Sequence, residues 1–183
     1  MLIGSPFLMP EVAIVDPLLT LSLPPSITAA TGIDALSHAI EAYVSVKAQP
    51  LSDIFCLAAI ELISGNLPKA WADGKDLEAR EKTMLGALQA GIAFSNASVA
   101  LVHGMARPLG VYFHVPHGAS NAALLGVVME FSLSDSPTRY AHIAKAMGED
   151  IHGLSDLEAA LLGAQAVKKL TKDLKVPSLA ELG

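Results

Sequence analysis

From Ser26 onward apolar residues recur at helical spacing, and before it they do not. Ile33, Leu36, Ile40, Tyr43 and Val44 share one side of a helix that opens at Pro25-Ser26. Phe55, Leu57, Ile60, Leu62 and Ile63 mark a second helix, from Ser52-Asp53 to Gly65. Pro68 then predicts a break and a short extra helix through Trp71, closed by Asp73-Gly74. Asp76 opens a long segment through Met84, Leu88, Ile92 and Phe94, with a bend or restart at Asn96-Ala97-Ser98 and an apolar helix that ends on His103. Beyond Pro108, the run LGVYFHVPHG carries two turn signals, Gly110 and Pro116, and reads as an irregular connection. Helices follow from Ala119 to about Phe131 and from Ser136-Pro137 to Met147. The last opens on the capping box of Ser155 and Glu158, takes Leu157, Leu161, Ala164, Val167 and Leu174 as its buried stripe, and stops at Pro177.

The first 25 residues follow another rule. Pro6, Pro10, Pro17, Pro24 and Pro25 forbid a helix there. Glu11 to Val15 can form one short strand, closed by Asp16-Pro17, but a lone strand makes no sheet. The fold class that results is all-α, multihelical, with at most one short N-terminal strand. Residues 1–25 are an extended, Pro-rich lead-in, and residues 26–183 are a single helical domain.

Composition narrows this further. At 183 residues, 52% hydrophobic but only 5% aromatic, the interior has to be built from Ala, Leu, Val and Ile, which suits closely packed helices. The mean hydropathy is positive, yet charge or helix punctuation interrupts every window of about 18–20 residues, so no membrane partner is expected. Ala90 to Val102, the most apolar stretch, is broken by Ser95, Asn96 and Ser98. The apolar excess points instead to a face covered by a second copy of the chain or by a missing domain. A net charge of −6 gives nucleic acid no electrostatic hold. Cys56 is the single cysteine, which excludes an internal disulfide and fits a cytoplasmic setting. The start, MLIGSPFLMPEVAIVDP, lacks the basic region and cleavage site of a secretory signal.

Candidate chemistry lies in the histidines. Asp34 and His38 are four apart in GIDALSHAIEAY, so one turn of helix places them on one face, where they can chelate one ion. Such a pair alone more often belongs to an ordinary helix with a solvated Asp and a hydrogen-bonded His; the apolar neighbours Ile33, Leu36, Ile40 and Val44 shift the balance, because a buried carboxylate needs a partner. His103 and His117 bracket HGMARPLGVYFHVPH, whose glycines 104, 110 and 118 permit close approach and reversal. His114 is a rival ligand in the same stretch, while His142 and His152 read as ordinary amphipathic positions. One carboxylate with three imidazoles suits Fe(2+) or Zn(2+). None of the six histidines is followed by Asp, which argues against a helical His-Asp hydrolase.

GIDALSHAIEAYVS, followed by VHGMARPLG and VPHGASNAALL, resembles the signature pair of the iron-containing (group III) alcohol dehydrogenases. The lead-in from Asp16 to Pro25 and the ending KVPSLAELG are similar too, so the resemblance runs along essentially the whole chain. It implies the helical domain of the dehydroquinate synthase-like fold. It also implies one metal ion on Asp34, His38, His103 and His117, and hydride transfer between a small alcohol or aldehyde and NAD(P). Phe94, in GIAFSNA, matches a position that lines the family's substrate pocket and reads equally well as a core aromatic.

Three departures stand out. Arg107 replaces a second histidine of the pattern H-G-M-A-H; it cannot serve as a base, so a proton relay would pass through water or His114, and Arg107 could instead attract a carboxylate or phosphate. Gly126 and Ser132 stand where a proline and an asparagine are common. No G-x-G-x-x-G or G-G-G-S run is present, so the expected dinucleotide-binding residues would come from a separate domain. The expectation is the metal-binding half of an alcohol dehydrogenase, inactive without that domain. The alternative is a non-catalytic metal-binding or oligomerising helical remnant.

Overall fold

Pro25, whose φ is already set for a helix, starts α1 (Pro25–Val44) in the computed structural model, which describes residue 8 and residues 10–182. The helices that follow are α2 (Pro50–Ala72), α3 (Leu77–Ala97), α4 (Leu101–Phe113), α5 (His117–Ser132), α6 (Pro137–Ala146), α7 (Asp156–Asp173) and the single turn α8 (Leu179–Leu182). Short 3-10 turns occur at Pro17–Thr20 and Leu133–Asp135. No strand forms among the described residues. The stretch predicted as a strand is open chain with Val12 and Ile14 in solvent, because nothing lies beside it to complete a ladder.

α1 is the axis of the bundle. It packs on α2 and α3 on one side and on α5 on the other, and α5 in turn meets α4 and α7. Buried residues run almost all round it, including the predicted Ile33, Leu36, Ile40 and Tyr43. On α3 the inward face is made of small residues, Ala79, Gly86, Ala90, Ala93 and Ala97, while Leu85, Leu88 and Ile92 point outward. The helices lie too close for more: a Cβ on Gly86 would stand 2.7 Å from Ile63 Cγ1.

Two prolines behave differently from expectation. α2 does not break at Pro68 but continues to Ala72. A mid-helix proline costs about 3 kcal/mol. Ile63 and Leu67 are fully buried beside it, at about 2 kcal/mol each, which is enough to hold the helix together. α4 likewise continues through Pro108 to Phe113, so the irregular connection shrinks to His114-Val115-Pro116. The carbonyl that Pro108 leaves unpaired belongs to exposed Gly104. His103 therefore lies in the first turn of α4, not at the end of a preceding helix. The predicted bend is real: Ser98 takes φ 66°, and α3 and α4 meet at 100°.

α7 opens on the predicted Ser155–Glu158 box, with Ala164 and Val167 buried and Leu174 buried at its C-cap. Leu157 and Leu161 are exposed instead of buried. By length and composition alone α2 could cross a membrane, against the sequence expectation. In the fold its residues Cys56, Ala59, Ile60, Ile63 and Leu67 belong to the shared core.

Candidate metal centre

Three helices converge on one polar point in this apolar interior. α1 contributes Asp34, His38 and Glu41, which are spaced so that all three fall on one face. α4 brings His103 from its first turn, and α5 brings His117 as its first residue. Pro116 fixes the chain entering α5, and His114 makes the reversal in the left-handed region at φ 56°. Gly118 sets how closely α5 lies on α1: a Cβ there would be 2.9 Å from the Ala30 carbonyl oxygen, one turn before Asp34. Of the three glycines singled out in the sequence, Gly118 is the one against which another backbone closes this tightly.

Donor atoms of Asp34, His103 and His117 lie within 4.8 Å of one another. Asp34 Oδ1 is 3.6 Å from His103 Nε2 and 3.7 Å from His117 Nε2. For a tetrahedral ion with bonds of about 2.1 Å, neighbouring ligands stand about 3.4 Å apart, so a small contraction makes these donors a fit. His38 is outside that group. Its ring stacks on Phe94 at 4.4 Å between centroids and tilts against His103 at the same separation. Phe94 also packs against the hydrophobic core, so it is at once a core aromatic and a wall of the site.

Two residues not foreseen from the sequence complete the arrangement. Asn121, fully buried one turn after His117, points its Nδ2 at Asp34 Oδ1 (2.5 Å), His117 Nε2 (3.0 Å) and His103 Nε2 (3.1 Å). An amide has two protons for these three acceptors, and Asn121 Oδ1 finds no partner at all. With His103 neutral, the site holds more lone pairs than protein donors can satisfy, an imbalance that either a proton on His103 or a cation corrects. Glu41, also buried, accepts from the Val102 N–H at 2.6 Å and lies 2.5 Å from His103 Nδ1.

The electrostatics follow from this crowding. Burial opposes the charge on Asp34, but the His103 hydrogen bond, with His38, Asn121 and His117 nearby, holds the carboxyl below its ordinary value. Burial pushes the His38 imidazole down against the pull of Asp34, which favours the neutral form with a free lone pair. For His103 burial again opposes the charge, yet hydrogen bonds to Asp34 and Glu41 raise its pKa to about 9. A cation among these donors would take the place of that proton.

The remaining candidates lie apart from the donor group. Arg107 is exposed on α4, one turn beyond His103, with no hydrogen bond or ion pair among the described residues; His114 is exposed in the turn. His142 is hydrogen-bonded to the Tyr43 hydroxyl at 2.8 Å, away from the site. Glu149 and His152 have the Glu-x-x-His spacing of di-iron bundles but sit in the α6–α7 connection, not on a helix.

Residues 28–183 match the model of the Fe-containing alcohol dehydrogenase family, C-terminal. The chain belongs to that family. It is 46% identical over 176 residues to the 1,3-propanediol dehydrogenase of Klebsiella pneumoniae, an alignment covering 96% of this chain and 46% of that protein. With long-chain-alcohol dehydrogenase 1 of Geobacillus thermodenitrificans it shares 49% identity over 171 residues, 93% of this chain and 43% of the relative. The crystal structure of a 1,3-propanediol oxidoreductase superposes with a TM-score of 0.91 at 46% identity, over 92% of this chain and 44% of the other. The chain thus spans less than half the length of these relatives, and the all-α architecture is that of the family's C-terminal domain.

Proposed function

We propose that this chain is the metal-binding half of an NAD(P)-linked alcohol dehydrogenase, acting between small alcohols and aldehydes. Residues 1–25 form its lead-in and residues 26–183 its metal-binding domain. The observation that carries this reading is the convergence of Asp34, His103 and His117 donors around a point with too few protons. Family membership and relatives named as alcohol dehydrogenases support it.

Asp34, His38, His103 and His117 would hold Fe(2+) or Zn(2+), with His38 turning from its stack on Phe94 to join the other three. When bound, the ion supplies Lewis acidity toward the substrate oxygen and eases loss of the alcohol proton. The residues of this chain build the surroundings for that event. His117, half-exposed, marks the open side of the site. Phe94 and the core behind it exclude water from the closed side. His114 and water are the remaining routes for the proton, since Arg107 stays charged and suits a carboxylate or phosphate instead. NAD(P) would be held by a nucleotide-binding domain supplied from elsewhere, and the lone, buried Cys56 agrees with a cytoplasmic setting.

Titration with Zn(2+), or with Fe(2+) under anaerobic conditions, tests the ligand set. His103→Ala and His117→Ala are expected to lose the ion and His114→Ala to keep it; equal loss in all three overturns the assignment. Following nicotinamide absorbance with alcohol and NAD(P) tests the division of labour. Robust turnover by the chain alone would refute the need for a second domain.

A second reading, a non-catalytic metal-binding or self-associating remnant, draws on one observation. Val111, Tyr112 and Phe113 at the end of α4, and Val127 and Phe131 on α5, are exposed apolar residues. Sedimentation with and without metal separates the two, because a strictly monomeric protein counts against self-association.

A further inference from the structure

Glu41 is a carboxylate with 2% exposure, and no Lys or Arg pairs with it among the described residues. A buried charge of this kind needs hydrogen-bond donors to replace its hydration. It finds all of them in the first turn of α4, about sixty residues further along the chain. Oε1 accepts from the Val102 N–H at 2.6 Å, while Oε2 lies 2.5 Å from His103 Nδ1 and 3.4 Å from the His103 N–H. The N-cap residue of α4 is Ala100, whose side chain cannot cap. Glu41 therefore acts as the N-cap of a helix in which it does not reside, and the same carboxylate grips the ring of that helix's third residue.

We propose that Glu41 is the positioning residue of the metal centre: it holds the proton of His103 on Nδ1, aims Nε2 at the point shared with Asp34 and His117, and fixes the start of α4 in the same act. This rests on the metal-binding reading above. The geometry leaves little freedom. With Nδ1–H tied to Glu41, the ring presents only Nε2 to the site, and Nε2 is the nitrogen that lies 3.6 Å from Asp34 Oδ1. Asp34, His38 and Glu41 share one face of α1, so a single rigid helix sets both the ligands and the brace of a ligand brought by another helix. Partners that orient a metal-binding imidazole in this way typically set its affinity by roughly 10–100-fold.

Glu41→Gln tests the assignment. A glutamine has one carbonyl oxygen to accept with, so it can serve either the Val102 N–H or the His103 ring N–H, and its NH2 then confronts the other donor. Zinc affinity, measured by chelator competition on the full chain, is expected to fall roughly 10–100-fold. Ser155→Ala, which breaks the capping box of α7 away from the site, is expected to leave affinity within threefold of wild type. In the zinc-loaded wild type, the His103 Nδ1–H proton is expected far downfield and slow to exchange, as for a bond to a carboxylate, and the signal is expected to move upfield in Glu41→Gln. A Glu41→Gln affinity within threefold of wild type overturns the proposal and leaves the metal-binding reading standing. So does zinc bound through Nδ1 of His103 in the wild type, which decides the matter even where the variant does not fold. A wild-type chain that binds no zinc overturns both.

Discussion

The two ends of α1 each carry a buried charged side chain against them, and the two are mounted in opposite ways. Near the N-terminal end, Arg80 reaches in from α3 with 4% exposure. Its guanidinium donates to the Gly74 carbonyl (3.1 Å), the Thr28 hydroxyl (2.7 Å) and the Leu23 carbonyl (3.3 Å). Toward the C-terminal end, Glu41 reaches out from α1 and accepts from backbone and ring N–H groups of α4. Arg80 has no carboxylate as partner and is held by oriented dipoles alone; Glu41 has no Lys or Arg, and is held by backbone N–H groups and the His103 ring. The difference lies in what the dipoles belong to. Arg80 ties together the lead-in, the α2–α3 turn and α1, all of which are scaffold. Glu41 ties α1 to a helix that carries a candidate ligand. A buried charge in this protein thus signals a fastening, and the element it fastens decides whether chemistry depends on it.

The strongest way to break that comparison is to remove Arg80. Arg80→Ala leaves two carbonyls and a hydroxyl without their donor and opens a void, for an expected loss of about 3 kcal/mol of unfolding free energy. Chemical denaturation measures it. Zinc affinity of the fraction that remains folded is expected to match wild type, the reverse of the pattern expected for Glu41→Gln. If Arg80→Ala weakens zinc binding as much as it weakens the fold, the two ends of α1 are not separable.

Gly118→Ala lies between these extremes. The added Cβ meets the Ala30 carbonyl oxygen at 2.9 Å, and a backbone atom in a buried helix cannot step aside as a side chain would. The first turn of α5 must lift from α1 and take His117 away from Asp34. A loss of about 1–3 kcal/mol is expected, and zinc affinity is expected to fall with it. Stability lost without any change in zinc affinity would show that α5 can shift without carrying its histidine along.

Much of this molecule was legible in the sequence, and what was not has a common cause. The stripe Ile33, Leu36, Ile40 and Tyr43 predicts α1 because helical periodicity is local, and the Ser155–Glu158 box predicts the start of α7 for the same reason. Pro68 and Pro108 misled because the penalty of a proline is local, whereas what offsets it depends on the fold: Ile63 and Leu67 pack α2 into the core, and the carbonyl freed in α4 belongs to an exposed residue, Gly104. Leu88 and Ile92 mark α3 in the sequence yet face outward in the fold, because hydrophobicity names the residues that can be buried, not those small enough for the closest approach. Asp34, His103 and His117 could be singled out by type and spacing. Glu41 could not, since a glutamate in a helix ordinarily faces water. Its position seven residues after Asp34 and three after His38 was the one sign that it shares their face.

Cys56 sharpens the comparison from the opposite direction, with the smallest effect near neutral pH. It sits in α2 among the fully buried residues and, unlike Arg80 with its acceptors and Glu41 with its donors, has no side chain hydrogen-bonded to it. Burial, with Asp53 nearby, therefore pushes its thiol up to about 12, and the group stays neutral. The unfolded chain would ionise this thiol near its ordinary value, so between about 9 and about 12 the folded state holds a proton that the unfolded state has released. Stability from this source is complete below that window and falls as pH rises through it, by about 1.4 kcal/mol per unit at most. Comparing alkaline unfolding of wild type with Cys56→Ala isolates the effect. The variant is expected to be less stable at pH 7, because it leaves a small void, and to lose stability less steeply above pH 9. Parallel slopes for the two proteins would mean that the thiol ionises in place, and that α2 supplies a charge mount where none is seen.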